Sequence, residues 1–531
     1  MGARLSGSYR RRLCLVIWDV RRREAFCARD RMGNKLFNYH WSGKTFVFAS
    51  ELHTILELPW VSEILNEGML AEFLANEWYS RDETFWWGIM RLVAAHRMVA
   101  DANGLRPEQY WKPDLWTTLP YSKDEEYIEH YGELFTDVVR RMSRSFQPLA
   151  CEVSGGLDSS AIFAMMEHLR RQQKLLAPGL EGYTLAFTDD LDANELDYAR
   201  AMGDYLGIEI HEVAPSKMSL SWYREWARCY REFPSYPNGV MGLEIRKQAG
   251  NQGSRALLVG VGGDQWLCGS RRYYAKVLTA SEWKTFFVCL EADCRDMGLG
   301  RSLWWVFRHG CYPLLPDSVR QLLRKIIIGN RSGGVDRLAW LTPPMRRVIR
   351  QRRDQYTRSN IGRKRGIEKG EQELAFLDTY LTHALELEER MAASMGIELR
   401  RPFFDLNLVQ FAYRTPEHLK LRGRIDKYLH RKAMMGLLPQ TLLLRETKAE
   451  FSITFRWYLS ELKDVLTQDT SFRTWDWVDP DKVAELHNLG DHLLHSNMPA
   501  RMLWTLFGCK ALDSEPGRDP SRYTVSNLML N

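Results

Sequence analysis

The stretch that most constrains this chain is residues 154–160, which read S-G-G-L-D-S-S. An apolar run of strand length, residues 148–153, precedes it, and the helix-forming run 161–166 follows. This order predicts a strand, a tight turn and a helix N-terminus. The unpaired N–H groups and positive dipole of a first helical turn attract anions, and Gly155 and Gly156 let the backbone approach a phosphate closely. The alternative is an ordinary serine cap on a buried helix.

Asp158 would repel a phosphate unless a cation lay between them, so its position predicts Mg²⁺ at this turn. The turn does not have the G-x-x-x-x-G-K-[ST] pattern of a Walker A loop. A second glycine-rich turn, residues 260–265 (G-V-G-G-D-Q), follows the apolar run 256–259. Alone it is weak evidence, because such turns also serve tight packing. Together the two turns predict a second carboxylate, Asp264, for a phosphate-bound metal.

Beyond residue 124, apolar runs of strand length alternate with helical patterns. The predicted helices include residues 125–144 and 195–205, and the predicted strands are residues 148–153, 183–187, 209–213 and 256–259. Strands separated by helices imply an α/β fold. In this fold a parallel sheet has helices on both faces and binds ligands at the carboxyl ends of its strands.

The first fifty residues have a different pattern. Four short apolar runs, two of them flanking Ser42 and Gly43, predict an antiparallel sheet, and helical patterning follows over residues 51–74. The stretch 112–122 contains two prolines and predicts a domain boundary. The predicted division of the chain is a first domain of residues 1–117, a second domain of residues 118–512 and a polar tail of residues 513–531.

Composition argues against several classes of protein. The net charge of +6 is small for 531 residues and does not indicate nucleic-acid binding. No apolar run approaches the roughly 20 residues that span a bilayer, so no membrane contact is expected. The nine cysteines are scattered, which predicts reduced thiols and a cytoplasmic protein. The arginine-rich stretch 346–365 is interpreted as a solvated helix face, with a site for an acidic peptide or RNA as the alternative.

A third motif, residues 396–405, reads G-I-E-L-R-R-P-F-F-D and looks like the G-x-E-x-R-x-P-F-L-D pattern of asparagine synthetases. Lys427 matches the lysine of that family's K-x-x-L-R pattern, although His430 stands where the family has leucine. With the two glycine-rich turns, these motifs make the second domain resemble the synthetase domain of the asparagine synthetase family. That family also contains β-lactam synthetases and lasso-peptide macrolactam cyclases.

The first domain resembles the later part of the family's class II glutamine amidotransferase domain through three segments, residues 17–19, 28–33 and 48–51. That domain uses an N-terminal cysteine, whereas this chain opens M-G-A, and its Cys14 and Cys27 lie inside strand-like runs. The resemblance therefore implies a truncated glutaminase-like domain that does not hydrolyse glutamine as written. Either the true start lies upstream or the amine comes from another source.

The resemblance implies an AMP-forming carbon–nitrogen ligase with an ATP pyrophosphatase fold. A substrate carboxylate attacks the α-phosphate of ATP, pyrophosphate leaves with Mg²⁺, and an amine converts the acyl-AMP into an amide. Asp158 and Asp264 would be catalytic residues that hold the metal, and Lys427 would stabilise charge in the second step. Without the match, Lys427 would be interpreted as a solvated helix lysine. The implied ATP-binding residues are Val153, Ser154, Gly155, Gly156, Asp158, Ser159, Ser160, Phe187 and Gly260.

Two departures from the family bear on the substrates. Asparagine synthetases carry G-E-G-[SG]-D-E where this chain has Val261 and Gln265 in place of two carboxylates. The first of those carboxylates is implied in the amine step, so its loss favours an amine held in the substrate over free ammonia without excluding asparagine formation. The expected substrate is a small-molecule or peptide carboxylate, with a precursor peptide and a protease as partners if a ring is closed. The alternatives are a catalytically inactive nucleotide-binding subunit and an ATP pyrophosphatase of the NAD synthetase or thiolation type.

Overall fold

The computed structural model describes residues 13–316, 318–320, 338–360, 376, 378–468, 476–488 and 498–513. The strands are β1 (Cys14–Asp19), β2 (Glu24–Arg29), β3 (Asn38–Trp41), β4 (Phe46–Ala49), β5 (Ile89–Arg91), β6 (His96–Asp101), β7 (Gly104–Gln109), β8 (Leu149–Glu152), β9 (Leu180–Leu185), β10 (Ile210–Val213), β11 (Ala256–Leu258), β12 (Glu398–Arg400), β13 (Leu421–Arg422) and β14 (Ile425–Asp426).

The helices are α1 (Leu52–Leu56), α2 (Glu67–Ala75), α3 (Asp124–Met142), α4 (Leu157–Arg171), α5 (Leu196–Leu206), α6 (Leu220–Tyr230), α7 (Leu243–Asn251), α8 (Gly263–Leu267), α9 (Tyr273–Thr279), α10 (Trp283–Met297), α11 (Leu299–Val306), α12 (Pro343–Asn360), α13 (Thr379–Ser394), α14 (Leu406–Arg414), α15 (Glu417–Lys420), α16 (Tyr428–Ala433), α17 (Gln440–Leu443), α18 (Ile453–Gln468), α19 (Pro480–Asn488) and α20 (Met498–Asp513). In the part of the chain that is described, no helix combines the length and the apolar character needed to cross a bilayer.

The N-terminal unit contains two antiparallel sheets, which confirms the predicted antiparallel class. One sheet has the order β1-β2-β6-β7 and the other the order β4-β3-β5. Cys27 and Met98 of the first sheet pack in one core with Phe37, Tyr39 and Phe46, which belong to the second sheet or adjoin it. Strands β5, β6 and β7 were not predicted. Strand β7 reads G-L-R-P-E-Q, and it is a strand because it pairs with β6, not because of an apolar pattern.

The second unit contains the predicted parallel sheet, in the order β10-β9-β8-β11-β12. Successive side chains of a strand point to opposite faces, and each face here is covered by helices. Ala150 packs with Ile245 and Ala249 of α7 on one face. Cys151 packs with Phe135 of α3 and other residues of α3 and α4 on the opposite face. The α/β class with helices on both faces is therefore confirmed.

The strand order reverses between β8 and β11. From β8 the chain continues to β9 and β10 on one side, whereas β11 and β12 lie on the other side. In open parallel sheets the crevice at such a switch point is where ligands bind. Both glycine-rich turns begin at this crevice, because one follows β8 and the other follows β11.

Buried ion pairs join the N-terminal unit to helix α13. Arg29 Nη2 and Arg91 Nε of the N-terminal unit each lie 2.7 Å from a carboxylate oxygen of Glu386. Arg390, one helical turn further along α13, lies 2.7 Å from Glu51. Both arginines that pair with Glu386 are almost completely buried, and Arg91 also lies 3.2 Å from the buried Glu232. Removing the Glu386 carboxylate would therefore leave Arg29 without a carboxylate partner in the interior and Arg91 with one partner fewer.

Helix α12 is also held by carboxylates of the N-terminal unit. Arg352 lies 2.5 Å from the fully buried Glu72, and Arg353 lies 2.8 Å from Glu77. The interpretation of stretch 346–365 as a solvated face is therefore wrong at Arg352, because this side chain is mostly buried and pairs with the buried carboxylate of Glu72. Residues 361–365 of this stretch lie outside the described residues.

The first prediction concerns Glu386. Glu386→Gln leaves Arg29 buried without its counter-charge and leaves Arg91 with Glu232 alone, so the free energy of unfolding should fall by about 3–5 kcal/mol, measured by urea denaturation at pH 7. The matched control is Glu108→Gln, which removes an exposed pair with Arg97 and should cost less than about 1 kcal/mol. Equal effects of the two substitutions would contradict the prediction.

The second prediction is the pH dependence of that contribution. Burial disfavours the ionised carboxylate of Glu386, but Arg91 and Arg29 outweigh this effect and lower its pKa to about 2. Because the unfolded value is about 4.3, the carboxylate contributes stability above that pH, and the contribution is lost as the pH falls toward 2. Urea denaturation from pH 5 to pH 3 should therefore show a shallower loss of stability in Glu386→Gln than in the unmodified chain. Parallel profiles would contradict this.

Candidate active site

The turn after β8 passes from strand to helix within four residues. Gly155 has φ +74°, and a Cβ at this position would lie 2.8 Å from the backbone oxygen of Glu195 and from Tyr198 Cβ. The N–H of Ser154 donates to Ser159 Oγ at 3.1 Å, and the two hydroxyls lie 2.9 Å apart. Glycine at 155 therefore lets the turn pack on α5, and the two serines face each other across the turn.

The second turn lies directly against the first. A Cβ at Gly260 would lie 2.8 Å from the backbone nitrogen of Ser159, and a Cβ at Gly263 would lie 2.2 Å from Asp158 Cγ. The backbone of the second turn therefore supports the carboxylate of the first. This close approach is possible only because both positions lack a side chain.

Lys427 connects the two turns electrostatically. It directly precedes α16 and has φ 53°, a left-handed conformation that is uncommon for residues other than glycine. Its Nζ lies 2.5 Å from Asp158 Oδ2 and 2.7 Å from Asp264 Oδ1. Lys448 contacts the other oxygen of Asp264. Two ammonium groups thus balance two carboxylates at the ends of β8 and β11.

The charges of this cluster shift one another's pKa values. Burial would raise the pKa of Asp264, but Lys427 and Lys448 outweigh burial and lower it to about 2. Burial likewise disfavours the ammonium form of Lys427, yet Asp158 and Asp264 raise its pKa above the ordinary value. Asp264 and Lys427 therefore stay ionised around neutral pH.

A buried histidine lies beneath Asp158. His430 Nδ1 lies 2.7 Å from the hydroxyl of Tyr131, and His430 Nε2 lies 3.9 Å from Asp158 Oδ1. Burial, with the nearby charge of Lys427, holds the pKa of His430 well below its usual value. A neutral imidazole therefore stands where the K-x-x-L-R pattern has leucine, and it places a polar group next to the carboxylate of Asp158.

The crevice encloses a cavity of about 370 Å³. The site residues predicted from the sequence that line it are Ser154, Gly156, Asp158, Ser159, Phe187, Gly260, Asp264 and Lys427. Three others do not line it. Val153 and Ser160 are fully buried beneath it, and Gly155 packs against α5. The structure thus brings the predicted residues to one place, while their role in binding ATP stays a prediction.

The sequence prediction missed two cations of the segment after α17. Arg445 Nη1 donates to the carbonyl oxygen of Gly155 at 2.8 Å, and its Nη2 lies 2.6 Å from the buried Glu195. Lys448, three residues later, contacts Asp264. Their sequence signal is only two cations three residues apart, R-E-T-K, directly after an apolar run.

The two carboxylates fit a divalent cation. Oxygens of Asp158 and Asp264 converge on one nitrogen, and Asp158 Oδ1 is buried without a hydrogen-bond partner among the described residues. Mg²⁺ is typically bound by one or two carboxylates together with substrate phosphates. Over the described ranges, no group of three or more His, Cys, Asp or Glu residues could hold a metal by itself. The donor set therefore fits a metal that phosphate helps to bind.

Comparison with known proteins identifies the class. The asparagine synthase family pattern matches residues 130–514, and a glutamine amidotransferase domain pattern matches residues 1–111. The chain therefore belongs to the asparagine synthase family.

Several curated relatives are similar over most of this chain. Asparagine synthetase [glutamine-hydrolyzing] 3 of Bacillus subtilis is 23% identical over 446 residues, which cover 81% of this chain and 65% of the relative. Amidase chry2 of Gibberella zeae is 25% identical over 470 residues, covering 82% of this chain and 68% of the relative. Amidase chyE of Penicillium rubens is 24% identical over 451 residues, covering 79% and 66%. The chain thus spans about two thirds of the length of these relatives, slightly less for the first and the third.

A third prediction follows from the contact between the turns. Gly263→Ala places a methyl group against the Asp158 carboxylate, and such overpacking typically costs about 1–3 kcal/mol. We expect MgATP affinity, measured by calorimetry, to fall by about 5- to 150-fold. The matched control is Gly132→Ala in α3, where a Cβ meets nothing within 4 Å, and it should leave affinity unchanged. Unchanged affinity in Gly263→Ala would contradict the prediction.

Proposed function

We propose that this chain activates a carboxylate with MgATP as an acyl-AMP, releases pyrophosphate, and then joins the acyl group to an amine as an amide. The observation that carries the proposal is the bridge from Lys427 Nζ to Asp158 and Asp264 at the cavity. Membership of the asparagine synthase family and the relatives named asparagine synthetase support the same reaction class.

Each part of the site has a role in this reaction. The hydroxyls of Ser154 and Ser159 and the N-terminus of α4 would bind phosphate oxygens. Asp158 and Asp264 would hold Mg²⁺, which supplies charge neutralisation for the pyrophosphate leaving group. Lys427 would stabilise charge on the reacting groups, since positioning and charge balance provide most of the catalysis in such transfers.

The adenosine would lie against the strand ends, beside Phe187 and Gly260 and above the buried Val153. Phe187 lines the cavity, and the centroid of its ring lies 5.4 Å from that of Phe451, with the two ring planes tilted by 42°. An aromatic and apolar lining is typical of adenine sites in proteins.

The amine is either free ammonia, which would give asparagine from aspartate, or an amine of the substrate itself, which would close a macrolactam ring. Neither cysteine of the N-terminal sheets is suited to release ammonia from glutamine. Cys27 is fully buried and burial raises its pKa to about 12, and burial also raises the pKa of Cys14. A thiolate is the reactive form of cysteine, so these thiols are poor nucleophiles.

The test is exchange of radioactive pyrophosphate into ATP with two probe acids. One is L-aspartate, and the other is a linear peptide with a free amino terminus and an internal aspartate or glutamate. We expect exchange with one of them. Asparagine should then form on addition of ammonium chloride, or the peptide should lose one water by mass spectrometry. Absence of exchange with both acids would contradict the proposal.

The fourth prediction tests Asp158, one of the two carboxylates that would hold Mg²⁺. Asp158→Asn keeps the shape of the side chain but removes its charge, so exchange should fall by about 100-fold or more, as expected when a preorganised electrostatic group is lost. Asp197→Asn is the matched control, because Asp197 also lies in the first turn of a helix that follows a strand of this sheet, but is exposed. Similar exchange rates in the two variants would contradict the role given to Asp158.

A further inference from the structure

One carboxylate at the cavity has no role in the proposed function, no ion-pair or hydrogen-bond partner among the described residues, and no full exposure to solvent. The carboxylates that line the cavity belong to Glu152, Asp158, Glu195, Asp264, Asp426 and Glu446. Lysines neutralise Asp158 and Asp264, Arg445 neutralises Glu195, and Glu446 is exposed to solvent. Asp426 Oδ1 accepts a hydrogen bond from the N–H of Gly269 at 3.0 Å. The half-buried Glu152 remains, and no described residue donates a hydrogen bond to its carboxylate.

The surroundings of Glu152 favour proton uptake. Burial raises the pKa of its carboxyl, the charge of Glu388 adds to the rise, and Arg246 and Arg401 oppose it. Arg246 is 5% exposed, and two of its three guanidinium nitrogens have no hydrogen-bond partner among the described residues. Glu152 Oε1 and Arg246 Nη2 lie 3.7 and 4.0 Å from the same point, the Cβ position of Gly242, without pairing.

The position of Glu152 places it at the reacting end of the sheet. It ends β8, two residues before Ser154, and its side chain lies on the face that Ala150 shares with Val259 and Val261. Strands β8 and β11 pair with Leu258 beside Cys151, so this register puts Val259 beside Glu152, and Val261 follows two residues later in the turn after β11. Glu152 and Val261 both line the cavity.

We propose that Glu152 is the catalytic residue that takes the proton from the attacking amine. This inference rests on the proposed amide-forming function. A neutral amine attacks the acyl carbon, the carbon–nitrogen bond forms, and the bond from that carbon to the phosphate oxygen breaks. The electron pair of the broken bond leaves with AMP, and the proton passes from the amine nitrogen to Glu152. The first half-reaction transfers no proton to Glu152.

The two half-reactions separate this role from a structural one. In Glu152→Gln, exchange of pyrophosphate into ATP should stay within about twofold of the unmodified chain. Amide formation with the probe acid that supports exchange should fall by about 100-fold or more, the range for loss of a general base. A parallel fall in both reactions, or amide formation unchanged, would overturn the assignment.

Two further variants serve as rescue and control. Val261→Glu in the Glu152→Gln background puts a carboxylate in the turn after β11, on the lining of the same cavity. It should raise the rate of amide formation at least tenfold above that of Glu152→Gln alone. Glu181→Gln removes a carboxylate from β9 at the opposite end of the sheet, where it accepts from Tyr183, and should leave both reactions unchanged. No rescue by Val261→Glu would also overturn the assignment. Absence of exchange in the unmodified chain would contradict the proposed function itself.

Discussion

The ammonium group of Lys427 between the carboxylates of Asp158 and Asp264 is the interaction on which the site depends. Two acidic turns at adjacent strand ends would repel each other without a cation, and here the second turn packs against the first closely enough to support its carboxylate. That proximity arises because the strand order reverses between β8 and β11, so both turns open into one crevice. The same bridge defines where a phosphate-bound metal would compete for the carboxylates.

The parts of this site that could be predicted from the sequence are those that neighbouring residues determine. The strand, the turn at Gly155 and the start of α4 follow from neighbouring residues, and the parallel sheet follows from alternating patterns. Strand β12 was missed because three residues inside a longer motif carry no periodic signal. Lys427 could be placed beside Asp158, 269 residues earlier, only through family resemblance. Arg445 had no such guide.

Charge partners were the least predictable feature of the chain. Glu386 and Arg29 lie 357 residues apart, and nothing in their neighbours indicates that each is buried against the other. The same holds for Arg352 and Glu72, where a charge expected in solvent instead holds α12 against the N-terminal unit. Separating such a pair would leave a buried charge without its partner, which is costly. The pairs therefore hold the N-terminal unit against the helices that support the parallel sheet. The chemistry proposed for the crevice therefore depends on packing well outside it.

The most direct test of the central claim follows oxygen atoms. The probe acid that supports exchange is labelled with ¹⁸O in its reactive carboxylate and incubated with MgATP and the amine, and the nucleotide products are analysed by mass spectrometry. Attack on the α-phosphate predicts AMP that carries one ¹⁸O atom from the carboxylate. Formation of ADP with label in inorganic phosphate, or of AMP without label, would contradict the account.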